Sequence, residues 1–285
     1  MSLVASAGAL MLLAVTSGRP EEGGGLIVLA STIGPIDAGI VSVLEDRFER
    51  ETGIRVRHVG AGTGEALRIA QGGSVDLVLV HAKALEEKFV QDGYGTERIP
   101  FMYNDFVIVG PTADPAGVHS ARSATEALRA IAAKGAPFVS RGDGSGTHVA
   151  EMELWSKAGL KPSGSWYVVY EKGSEGNAAT LRYAEQRQAY TVIDRATWLS
   201  MKEGARLSVL LEKDEALLNF ITLIPVSPAK FPRVNHAGAM RFVQWLTAPG
   251  KGQKIVEEFG VERYGAPMFF PDSREWTSAH AKRGP

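Results

Sequence analysis

The residues best suited to chemistry lie in one loop, Ser140-Arg141-Gly142-Asp143-Gly144-Ser145-Gly146-Thr147-His148. Arg141 offers a full positive charge and a forked pair of N–H donors. Asp143 is near enough to pair with it and fix its direction. Ser145, Gly146 and Thr147 stand ahead of a helical segment, where backbone N–H groups are unpaired and two hydroxyls join them. Donors gathered at a helix start suit a small anion, because the N-terminus also carries partial positive charge. The competing reading is a capped helix beside a surface ion pair. The convergence of charge, glycines and hydroxyls at one strand-to-helix turn favours a site.

Other turns carry the same residue types in weaker form. Ser31-Thr32 follows an apolar run, and by itself reads first as a helix N-cap. Thr63 sits between Gly62 and Gly64, which let the backbone approach a ligand closely; a plain turn explains them equally well. Thr180 follows Ala179 after a turn spanning 173–176. Asp194-Arg195 ends a strand, where a structural ion pair explains the residues as well as ligand contact does.

Enzymatic readings fare worse. Ser145, His148 and Asp143 suggest a hydrolase, but Asp143 and Thr147 flank Ser145 where a nucleophile elbow needs glycines. His148 lies three residues on, inside the helix. Gly60-Ala61-Gly62-Thr63-Gly64 is not a dinucleotide fingerprint, since Glu65 follows in place of the needed glycine. No P-loop appears, and the histidines lack metal-ligand spacing. There is no cysteine, which excludes disulfides, thiolate metal sites, cysteine nucleophiles and a lipidated cysteine anchor.

These loops need a scaffold. Leu26 to Ala30, Ile54 to Val59 and Asp76 to Val80 read as strands, separated by helical spacing over Ile40 to Phe48 and Ala66 to Ala70. That β-α-β-α-β order predicts a parallel sheet covered by helices. Phe106 to Gly110 is a strand leaving this unit. A second α/β unit follows, with strands at Pro137 to Val139, Trp166 to Tyr170 and Ala189 to Ile193, and helices at Ala124 to Ala133, His148 to Ala158, from Ala178, and at Thr197 to Lys202. Phe220 to Val226 and the helices Ala237 to Leu246 and Gln253 to Phe259 return the chain to the first unit. The expected division is one lobe from 26–110 plus 220–265, a second lobe from 111–219, and a tail from 266–285, with Thr277 to Pro285 loose. Ligands of open α/β sheets sit at the carboxyl ends of strands, which here means the cleft between lobes.

The 285 residues are 45% hydrophobic and 22% charged, with a formal net charge of -1. A sizeable core is affordable, and nothing in the charge supports nucleic-acid binding. Leu3 to Val15 reads as the apolar part of a secretory signal lacking its basic start, and 1–25 as a signal-like segment with a flexible join.

Several segments together resemble the periplasmic tungstate-binding proteins of ABC importers. They are Val59 to Leu67, Asp76 to Ala82, Met102 to Pro111, Ser140 to His148 and Tyr190 to Arg195. The resemblance runs from about Leu26 to Phe259. It implies a type II periplasmic-binding-protein fold: two parallel-sheet α/β lobes joined by a two-strand hinge, with ligand in the cleft. It also implies a periplasmic location, a membrane permease of an ABC transporter as partner, a monomeric chain, no cofactor, and tungstate or molybdate as cargo. The equivalents of Ser31, Thr32, Thr63, Arg141, Ser145 and Thr180 then line the pocket, with Gly146, Thr147, Asp194 and Arg195 beside them. Donors without acceptors would take a fully deprotonated anion and reject one that keeps a proton. Another small anion (sulfate, phosphate or a carboxylate) and a sensory role fit the same fold.

Against the family pattern, Ile33 and Gly34 stand where hydroxyls are usual, Gly144 where a second aspartate is usual, and Ile193 where a threonine is usual. Phe220-Ile221 replaces a proline-tyrosine pair. The pocket implied is less hydroxylated than the family norm.

Overall fold

The computed structural model describes residues 25–281; the signal-like segment, nearly all of the join and residues 282–285 lie outside it. The chain opens with β1 (Leu26–Thr32), α1 (Ile33–Ala38), α2 (Ile40–Thr52), β2 (Arg55–Ala61), α3 (Thr63–Ala70), β3 (Leu77–Val80) and α4 (Lys83–Gln91). The long strand β4 (Ile99–Pro111) leads to α5 (Ala124–Lys134), β5 (Phe138–Ser140), α6 (Gly146–Lys157), β6 (Tyr167–Val169), α7 (Asn177–Gln186), β7 (Thr191–Asp194), α8 (Arg195–Met201) and β8 (Leu207–Leu211). The chain then returns through β9 (Leu218–Pro225), α9 (His236–Thr247), α10 (Gly252–Glu258), α11 (Val261–Tyr264), β10 (Phe270–Pro271) and α12 (Arg274–Ala281).

The period-2 alternation of the buried strands places two layers of helices. Ile27, Leu29, Leu77 and Leu79 face α2 and α9, where Phe48 and Phe242 pack with ring centroids 4.7 Å apart. Ala30, Val78 and Val80 face the other way, toward Leu67 and Phe89. β4 repeats the pattern further along. Phe106 and Ile108 pack with Leu128 and Trp155, while Val107 and Val109 pack with Leu181. Each of these large side chains contributes roughly 1.5–3 kcal/mol by leaving water.

β1 pairs in parallel with β2 and β3, and β5 with β6, as the β-α-β order predicts. The strands that cross between the packed regions run the other way. β9 is antiparallel to β3 and β4, and β4 is antiparallel to β7 and β8. A chain that leaves and re-enters a unit by the same edge must reverse direction there, so the sheets are mixed rather than wholly parallel. β4 exchanges partners midway: its residues through Asp105 pair with β9, and from Phe106 onward with β7.

The carboxyl-terminal segment is more ordered than its polarity predicts. β10 pairs with β4, and Ser273 Oγ accepts from Trp276 N–H to start α12. A serine cap ahead of a polar helix carries no hydrophobic periodicity and so went unread in the sequence. No helix among the described residues is long and apolar enough to cross a membrane.

Candidate functional site

A cleft of about 2090 Å³ opens where strand ends meet helix starts. Thr32 and Gly34 reach it from the β1–α1 turn, Gly62 to Glu65 from β2–α3, and His81 to Lys83 from β3–α4. From the other side come Arg141 and Gly144 to Thr147 ahead of α6, Gly176 to Ala178 at α7, and Asp194 at α8. Asn104 of β4 and Asn219 of β9 line it too, joined by a 2.7 Å bond from Asn219 Nδ2 to Asn104 Oδ1. A smaller hollow of about 220 Å³ beside α7 and α8, lined by Leu181, Trp198 and Met201, gathers none of the sequence-predicted residues.

Thr32 is the N-cap residue of α1, yet its side chain makes no cap bond. Its hydroxyl is buried and has no partner among the described residues. A buried hydroxyl left unpaired costs about 1–3 kcal/mol, so the capping role does not account for it. Thr63 opens α3, and its Oγ1 lies 3.5 Å from His81 N–H.

The α6 loop folds as a set of local bonds. Gly142 and Gly144 adopt φ of 70° and 74°, which only glycine takes cheaply. Gly144 N–H donates to His148 Nδ1, Ser145 N–H to Asp143 Oδ1, and His148 N–H to Ser145 Oγ. Ser145 is therefore a working N-cap, as its competing reading held. Gly146 and Thr147 begin α6, and their N–H groups have no carbonyl within the helix to bond.

Arg141 is braced from three directions. Nε donates to Gly173 O at 3.1 Å, Nη1 to Asn177 Oδ1 at 2.5 Å, and Nη2 pairs with Asp143 Oδ2 at 2.9 Å. A Cβ on Gly173 would stand 1.8 Å from Arg141 O, so this close approach requires glycine. Partial burial pushes the Asp143 carboxyl up, but bonds from Ser145 and the charge of Arg141 outweigh it and hold the group below its usual range.

Three predicted residues sit apart from the cleft lining. Ser31 is fully buried beside Thr32, with its hydroxyl directed to Thr32 O at 3.2 Å. Thr180 is fully buried in α7, donating to Gly176 O at 3.1 Å. Arg195 pairs with Asp105 and Glu212, the structural alternative noted for it. Asp194 does line the cleft, but as the cap of α8: Oδ1 accepts from Thr197 N–H and Oδ2 from Thr197 Oγ1.

The sequence reading gave no role to His81 or Asn177. The His81 ring approaches Gly146 closely, with Cε1 3.0 Å from where a Cβ on that glycine would lie. Burial pulls its imidazole below the ordinary range, against the opposing field of Glu86, so it is neutral near pH 7. Its signal was position alone, one residue beyond an apolar strand. Asn177 follows Gly176 at the start of α7, a helix position where polar residues are unremarkable.

Comparison with known proteins decides the family. The model of the PBP superfamily domain matches residues 17–249. The tungstate-binding protein TupA of Peptoclostridium acidaminophilum is 41% identical over 251 residues, spanning 87% of this chain and 86% of that one. The chain belongs to the family of these tungstate-binding proteins. The solved tungstate-binding protein TupA of Desulfovibrio alaskensis G20 shares 38% identity at a TM-score of 0.81, over 88% of this chain and all of that one (100%). The tungstate ABC transporter structure from Geobacter sulfurreducens shares 42% identity at a TM-score of 0.70, over 82% and 98%. These solved proteins thus share the overall fold described above.

Proposed function

We propose that this protein captures tungstate, with molybdate second, in the cleft and delivers it to the membrane permease of an ABC importer. The observation that carries this reading is the buried hydroxyl of Thr32, unpartnered among the described residues, on a residue that lines a cleft ringed by helix N-termini. A dianion leaving water needs donors in place of its hydration shell. Thr32 Oγ1, the first N–H groups of α3 and α6 and the braced Arg141 supply them. Asp143, paired with Arg141, and Asp194, which lines the cleft, already accept bonds from protein groups. That arrangement leaves donors for the anion and accepts one that brings no proton.

Residues 26–105 with 220–265 act as one lobe and 106–219 as the other; the boundary expected at 110 falls instead where β4 passes from β9 to β7, since Phe106 to Val109 pack with the second lobe. A cleft of about 2090 Å³ is far larger than a four-oxygen anion, so donors from both sides reach one anion only if the lobes close on it. The chain works outside the cytoplasm as a monomer, without cofactor and without catalysis. Equilibrium dialysis of ligand-stripped protein against tungstate, with elemental analysis of both compartments, tests the reading. One bound tungsten per chain supports it, and no retained tungsten at saturating concentration refutes it.

A further inference from the structure

We propose that Asn177 is a positioning residue of the anion site: its amide fixes the Arg141 guanidinium and shields the Asp194 carboxylate from a bound dianion. This inference rests on the oxyanion reading above.

Asn177 begins α7 and lines the cleft. Its Oδ1 accepts from Arg141 Nη1 at 2.5 Å, and its Nδ2 donates to Asp194 Oδ2 at 2.6 Å. Arg141 comes from the turn after β5 and Asp194 from the end of β7, so one side chain links three strand-to-helix turns. The orientation of the amide is fixed by its partners. Turned over, it would set NH₂ against the guanidinium and C=O against the carboxylate, two contacts that cannot bond. No other side chain of this length meets both demands. A carboxylate suits Arg141 and repels Asp194, a cation does the reverse, and an apolar group serves neither.

The first consequence concerns Arg141. With Gly173 O, Asp143 and Asn177 each holding one N–H, the guanidinium is anchored at three points and keeps two of its five N–H groups free of protein partners among the described residues. A long side chain held this way loses little entropy when an anion arrives. The second consequence concerns Asp194. A bare carboxylate in this cleft would repel a dianion. Its oxygens instead accept from Thr197 N–H, Thr197 Oγ1 and Asn177 Nδ2, and without Asn177 the Oδ2 atom would keep only the threonine hydroxyl.

The test is calorimetric titration with tungstate of wild type, N177A, N177D, the N177D/D194N pair, R141A and R141A/N177A, with ligand-free thermal melts of each. N177A should weaken binding about tenfold. N177D should weaken it about a hundredfold, because a second carboxylate now stands beside the first. The N177D/D194N pair should recover most of that loss, since the amide at 194 can donate to the carboxylate at 177 and the polarity is merely reversed. In the R141A background, N177A should cost less than the tenfold it costs alone, the remainder coming from the exposed Asp194 carboxylate, as expected when one residue acts partly through the other. Wild-type affinity in N177A with tungstate bound normally by wild type overturns this inference alone. So does an N177D/D194N pair as weak as N177D, which would reduce Asn177 to a packing role. Failure of wild type itself to bind overturns the oxyanion reading and this inference with it.

Discussion

Arg195 grips Asp105 with two parallel bonds, Nε to Oδ1 at 2.7 Å and Nη2 to Oδ2 at 2.5 Å. Asp105 is 3% exposed and stands where β4 changes partner from β9 to β7. The bonds to Asp105, with a further one to Glu212, hold the Arg195 guanidinium above its already high range against the cost of burial. Removing one partner of a buried pair leaves the other charge uncompensated, which costs about 3–5 kcal/mol. R195A is expected to lose stability on that scale in urea denaturation, while tungstate affinity of the folded fraction changes little.

Thr32 should behave in the opposite way. Its hydroxyl satisfies nothing among the described residues, so replacing it with an isosteric methyl removes an unpaired polar group. T32V is expected to match or exceed wild type in ligand-free thermal stability and to bind tungstate about tenfold more weakly. A stability loss with unchanged affinity would place the hydroxyl in the scaffold instead.

Gly173 sets the reach of Arg141. A methyl there would meet Arg141 O at 1.8 Å, and backbone cannot yield as a flexible side chain can. G173A should displace the guanidinium and weaken tungstate binding at least about tenfold, measured by calorimetry.

Glu151 gives a pH signature. It is 2% exposed in α6, accepting from Trp155 Nε1 at 3.1 Å and Tyr167 Oη at 2.7 Å. Burial raises its carboxyl from 4.5 to about 7, against the pull of those bonds. Folding therefore favours the protonated form. Its contribution is fully present below pH about 4.5 and is lost as pH rises through about 7. Over that window the effect is on the order of 3 kcal/mol. E151Q keeps the acceptor oxygen and removes the titration. Its stability, relative to wild type, should rise between pH about 5 and 8 in paired urea melts.

Much of the scaffold was legible because burial writes itself into periodicity. The apolar run at Leu77 to Val80 and the glycine ending α2 at Gly53, with φ 74°, needed no structure to read. β8 and α4 were harder: β8 is only partly buried, and α4 buries just Glu86 and Phe89. Within the site, Arg141 and the α6 turn were readable because charge, glycine and hydroxyl are neighbours in sequence. The Asn177 bridge was not, since its partners lie 36 and 17 residues away and only the fold unites them. The contrast between Thr32 and Ser145 was equally hidden. Both precede helices, but only in the folded chain does one hydroxyl cap its helix and the other not.

The most direct measurement is calorimetric titration of refolded, ligand-stripped protein with tungstate, molybdate, sulfate and phosphate in turn. Tight one-to-one binding of tungstate is expected, with comparable or weaker binding of molybdate and little or no heat from sulfate or phosphate. Folded protein that binds sulfate or phosphate more tightly than tungstate, or that binds none of the four, would contradict the tungstate reading.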